Sequence, residues 1–106
     1  MPRIPELLTS IISILEDQKA TEIFYTSVKK HTSLCSYIVV ASARSTKHAY
    51  ALSDMVIELC EDSSLPLAHR EGDSSSEWIL IDAGSIIVHV MTPEMRALYC
   101  LEKLWH

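Results

Sequence analysis

A chain of 106 residues suits one domain, and 48% hydrophobic with 22% charged residues is the balance of a globular protein able to bury a modest core. Two glycines are too few for a turn-rich all-β sandwich or barrel. Fourteen acids against nine Lys plus Arg leave a net charge of −5 with no run of basic residues, so the basic footprint of a protein that binds nucleic acid through the phosphates is missing and a basic partner fits better.

Leu7, Leu8, Ile11, Ile12 and Leu15 recur at helical spacing and predict an amphipathic helix over residues 5–17; Ile14 lies off that stripe, at the surface or an interface. This N-terminal stretch carries Pro5 and Glu6, lacks a small-residue cleavage site and is too short to span a bilayer, so a cytoplasmic protein is expected. The β-branched and aromatic "EIFYTSV" at 22–28 predicts a strand, and the nearly continuous apolar run "LCSYIVVA" at 34–41 a central one buried on both faces. Ser45 then caps a helix with Leu52, Met55, Val56 and Leu59 on its inner side. "SSLPLAH" at 63–69 reads as a short strand that Pro66 places at an edge. A polar loop follows at 72–77, with Ser74, Ser75 and Ser76 read as flexible, and then a hairpin. Thr92 caps a last helix with Pro93 at its first position and Leu98, Leu101, Leu104 and Trp105 on its apolar side. The order α-β-β-α-β-β-β-α predicts a single α+β domain over 1–106, one mixed sheet of about five strands carrying helices. Cys35, Cys60 and Cys100 are odd in number, widely spaced and set in apolar surroundings, as reduced, buried small residues would be.

The hairpin, "WILIDAGSIIVHVM" at 78–91, has two unlike faces. Ile79, Ile81, Ala83, Ile86, Val88 and Val90 form one, wholly aliphatic and therefore core. Trp78, Leu80, Asp82, Ser85, Ile87, His89 and Met91 form the other. A turn centred on Ala83-Gly84 sets Trp78 opposite His89 and Leu80 opposite Ile87. Burial of this second face needs hydrogen-bonding partners for Trp78, Asp82 and His89; exposure makes it an apolar patch with polar groups, the make-up of a protein interface. The alternation leaves both open.

The stretch "REGDSSSEWILIDAGSIIVHVMTPEMRALYCLEKLW" resembles the C-terminal half of the ribosomal silencing factor family, also called Iojap-like. Glu71, Gly72, Trp78, Asp82, Gly84, Val88, His89, Val90, Arg96, Tyr99, Leu101, Glu102, Leu104 and Trp105 stand where that pattern wants them, and Ser45, His48 and Ala51 resemble its Ser-x-x-His helix start. The likeness runs from about Leu15 to the end. Departures are Ser27 and Ser36 where the family places acids, and Ala43 where it places glycine. The resemblance implies a nucleotidyltransferase-like α/β fold, often homodimeric. It also implies binding to a basic large-subunit ribosomal protein, the fourteenth, at the face that meets the small subunit, which blocks subunit joining and represses translation. A role in large-subunit maturation belongs to the same expectation, and a peripheral rRNA contact is left open by the sequence. The expected contact residues are Trp78, Leu80, Asp82, Ile87, His89, Met91, Glu71, Arg96, Tyr99 and His48, with Arg96, Tyr99 and His48 alternatively holding the structure together.

Catalysis is not expected. Metal-dependent nucleotidyl transfer needs paired carboxylates, and no Asp-x-Asp occurs; the places that would supply acids hold Ser27 and Ser36. Asp54 falls on the second helix, toward solvent. No Gly-x-Ser-x-Gly elbow is present, and His31, His48, His69, His89 and His106 lack metal-ligand spacing, so neither a metal nor a cofactor is expected.

Overall fold

The computed structural model describes residues 4–30, 35–63 and 68–105. Helix α1 (Ile4–Asp17) has Glu6 in its first turn, where an acid suits the helix dipole. Its Leu7, Leu8, Ile11 and Leu15 are buried. Ile14 also packs at the margin of the core, contrary to its position off the stripe. Helix α1 touches both a strand and a second helix, so its buried arc is wider than one stripe. Lys19, in the left-handed region at φ 71°, turns the chain into β1 (Thr21–Ser27). Strand β2 (Tyr37–Ser42) is buried from Ile38 onward, as its apolar run predicts. Ser45 caps α2 (Thr46–Asp62), its hydroxyl accepting from the His48 N–H at 3.0 Å.

Strand β3 (His69–Glu71) lies at an edge as expected, but it starts where the predicted strand ends. Residues 64–67, with Pro66, fall outside the described residues, as do His31 and His106. Arg70 anchors this short strand: its guanidinium lies 4.2 Å from the Tyr50 ring centroid and bonds Ser53, Asp54 and the Tyr50 hydroxyl. Asp54 is exposed on α2, as read from the sequence. Strands β4 (Trp78–Asp82) and β5 (Ile86–Met91) form the hairpin, and α3 (Pro93–Tyr99) follows with Thr92 as its cap.

The five strands make one sheet in the order β1-β2-β5-β4-β3, with β2 and β5 parallel and the other neighbours antiparallel. Helices α1 and α2 cover one face over Val39, Ala41, Ile79, Ile81, Ile86, Val88 and Val90. The predicted aliphatic face of the hairpin is thus the main core. On the opposite face Val28, Cys35, Ile38, Val40 and Met91 form a smaller core, with Met95 and Leu101 packed against it.

Two expectations change here. The hairpin pairs Trp78 with Met91, Leu80 with His89 and Asp82 with Ile87, two residues away from the expected register. The turn sits at Gly84-Ser85: Gly84 has φ 80°, its N–H donates to Asp82 Oδ1 at 2.9 Å, and Ala83 N–H donates to Ile86 O at 2.9 Å. A shift of two preserves every facing. The last helix stops at Tyr99, because Cys100 takes the left-handed conformation (φ 47°, ψ 50°) and leads into a 3-10 turn, Leu101–Trp105. That break turns Leu101 onto the smaller core and leaves Leu98 70% exposed rather than inward. The side chains of Leu104 and Trp105 lie outside the described residues.

Candidate docking face

The second face of the hairpin is divided. Its half nearer β2 lies under α3 and the 3-10 turn. Met91 is fully buried there, which removes it from the expected contact set in this conformation. Ile87 packs at the margin of the same small core. The half toward β3 is more open: Leu80, Asp82 and His89 are half-buried in it, and Trp78, also half-buried, packs at the margin of the small core.

Trp78 is held from two sides. Its indole N–H donates to His89 Nδ1 at 3.1 Å, across a diagonal rather than directly opposite. Its ring lies 5.0 Å from the Tyr99 ring, centroid to centroid, tilted by 46°. Tyr99 is 51% exposed, so this aromatic pair reaches the surface. Because His89 Nδ1 accepts, its proton sits on Nε2. Burial pushes the imidazole pKa down to about 4, so the ring is neutral at pH 7 and fit to accept.

Beside Trp78 and Leu80 runs a shallow groove of about 370 Å³, completed by Glu71 and Gly72. Glu71 is exposed and Asp82 partly so. Gly72 has φ 113°, and a Cβ there would come within 3.2 Å of Ile79 Cγ1 and 3.3 Å of Trp78 O. Only glycine lets the 72–77 loop fold back against β4. Two of the three serines bond to Asp73 within the loop. Asp73 accepts from Ser75 N–H at 2.9 Å, Ser75 Oγ at 2.7 Å and Ser76 Oγ at 3.3 Å. The Ser75 bonds hold the Asp73 carboxyl below its usual range.

Arg96 and His48 act as ties. Arg96 donates from Nη1 to Ser42 Oγ at 2.9 Å and from Nε to Glu102 Oε1 at 3.2 Å, fastening α3 and the 3-10 turn to β2. His48 is buried, with its ring bonded to backbone of two loops. Both fill the holding role that the sequence left as an alternative. Ser42, buried and 54 positions from Arg96, gave no signal in the sequence. Cys35 and Cys60 are buried as expected, their thiol pKa values raised by burial and then by Asp82 and Glu61 respectively; Cys100 is only partly buried. Among the described residues no group of three or more His, Cys, Asp or Glu is placed to hold a metal ion. Among them, too, no helix is long and apolar enough to cross a membrane.

The fold and this face define a small α/β domain presenting an open aromatic patch with acids at its rim, the composition of a protein contact surface. The chain belongs to the ribosomal silencing factor family: the model described as ribosomal silencing factor during starvation matches residues 1–106. It is 36% identical over 102 residues to the ribosomal silencing factor RsfS of Chromobacterium violaceum, covering 96% of this chain and 84% of that protein. The mouse protein named mitochondrial assembly of ribosomal large subunit protein 1 is 32% identical over 98 residues, covering 90% of this chain and 43% of its own length. A crystal structure of a C. violaceum protein superposes with a TM-score of 0.93 at 36% identity, covering 98% of this chain and 87% of that one. One from Bacillus halodurans gives 0.84 at 28%, covering 95% and 94%.

Proposed function

We propose that this protein docks through the Trp78 face onto the large ribosomal subunit, on its basic fourteenth protein, and by occupying the face that meets the small subunit prevents joining and represses translation in the cytoplasm. The observation that carries the reading is the Trp78–Tyr99 pair, fixed by His89 and open to a partner beside Leu80, with Glu71 and Asp82 at its edge. A buried Trp at the centre of an interface is the commonest kind of hot spot, and the rim acids match a basic surface. Family membership supports a ribosomal role, and the mouse relative's name supports a part in large-subunit assembly. The mechanism needs no chemical step, because an obstacle at the joining surface acts by excluded volume.

Trp78→Ala tests this by co-sedimentation with isolated large subunits, with folding followed by circular dichroism. Loss of a hot spot costs about 2 kcal/mol or more, at least about thirtyfold in affinity. Unchanged co-sedimentation of the folded variant removes Trp78 from the site. A subunit-joining assay separates ribosome obstruction from a face used only to pair two copies of the chain.

A further inference from the structure

A second concave place lies at the same end of the sheet, on the α1–α2 side. The α1–β1 turn and the β2–α2 loop meet there in a groove of about 550 Å³ whose lining includes Lys19, Arg44 and Lys47, with Asp17 its one acid. All three cations are exposed. Among the described residues Arg70 and Arg96 are engaged in ion pairs with Asp54 and Glu102, whereas Lys19, Arg44 and Lys47 are in none.

The walls of this groove are held at a fixed spacing by His48, whose residue is 9% exposed. His48 Nδ1 accepts from the Arg44 N–H at 3.1 Å, so Nε2 carries the proton and donates to Gln18 O at 2.8 Å. The Arg44 guanidinium rests against the ring, with Nη1 3.4 Å from Nε2. One buried side chain therefore joins the two loops that bear the cations. The placement of Lys47 does not serve helix stability: it is in the first turn of α2, where a cation opposes the dipole, and that turn contains no acid. The groove also adjoins the Trp78 end of the sheet. Ala43 N–H donates to Met91 O at 2.8 Å and Thr92 N–H to Glu77 O at 2.9 Å, so the β2–α2 loop and the start of β4 share one end.

We propose that Lys19, Arg44 and Lys47 form a contact for the phosphate backbone of an RNA strand that borders the docking site of the Trp78 face. This rests on the reading that the chain docks on a large ribosomal subunit, whose surface is RNA as well as protein. Charge complementarity selects the occupant: a chain of net charge −5 meets a polyanion best through its local cations. No Phe, Tyr or Trp lines the groove, so the contact is to the backbone and independent of base sequence.

The test is the salt dependence of binding to isolated large subunits between 50 and 200 mM salt, roughly the range over which counterion release is read. The variant is Lys19→Asn with Lys47→Gln. Both side chains are exposed, Asn tolerates the left-handed φ at position 19, and α2 gains from losing a cation in its first turn. Each lost phosphate contact lowers the slope of log affinity against log salt by about 0.7 to 0.9, so a fall of about 1.4 to 1.8 is expected, with roughly tenfold weaker binding at low salt. A control variant, Lys29→Gln with Lys30→Gln, removes the same charge at the opposite end of the sheet and keeps the wild-type slope. Equal slopes for wild type and the groove variant, or an equal fall in the control, overturn the phosphate contact. A wild-type chain that does not bind large subunits overturns the docking reading together with it.

Discussion

His89 makes the protein's stability depend on pH over a defined window. Its ring is ordinary in the unfolded chain, titrating near 6.5, and is held at about 4 in the folded one by burial. Above pH 6.5 neither state takes up a proton and nothing is lost. Between 6.5 and about 4 the unfolded chain binds a proton that folded His89 refuses, so stability falls as the pH falls. Worked from the two values, the loss is about 2 kcal/mol at pH 5 and about 3 kcal/mol at pH 4, after which it levels off. Carboxylates titrate in the same range, so the measurement is a difference. Urea unfolding of wild type and His89→Asn is followed from pH 7 to pH 4. Asn keeps an acceptor for the Trp78 N–H but does not ionise. The wild type loses about 2 kcal/mol more than the variant by pH 5. Parallel curves for the two proteins would refute the assignment of a depressed pKa to His89. Protonation also places a hydrogen on Nδ1, the atom that accepts from Trp78. Release of the indole in the folded protein is therefore expected only near and below pH 4, where the loss levels off.

Gly72→Ala forces a Cβ against Ile79 Cγ1 and the Trp78 carbonyl at φ 113°. It lowers stability by about 1–3 kcal/mol, read as a fall in the urea midpoint. Arg96→Met removes the tie from Ser42 to Glu102. Stability drops by roughly 2–3 kcal/mol, and hydrogen exchange rises first in α3 and the 3-10 turn. Uniform loss of protection across the sheet would show that Arg96 does more than fasten this layer.

What the sequence revealed follows from what period and punctuation can encode. Alternation of two placed Ile79, Ile81, Val88 and Val90 in the core and Trp78, Leu80 and His89 on the other face. Ser45, Thr92 and Pro93 marked the helix starts. The register was missed because a period of two cannot distinguish pairings that differ by two; the choice is made by Gly84's positive φ and Asp82's bond to it. The division of the second face was hidden for another reason. Whether Met91 is covered depends on where α3 lies, and that is fixed by a bond between Arg96 and Ser42. The basic groove was invisible because its three cations come from two separated segments that meet only in the fold.

The double restraint on Trp78 has a consequence for the kinetics of association. A free indole on a surface samples several rotamers, and freezing one on binding costs about 0.5–1.5 kcal/mol. Here the Nε1 bond to His89 and the contact with Tyr99 select the rotamer during folding. On the proposed docking, a partner meets the ring already in place, and little side-chain entropy remains to be lost in the encounter. Mutations at His89 or Tyr99 that leave Trp78 itself intact thus slow productive capture, even where every contact in the final complex is kept.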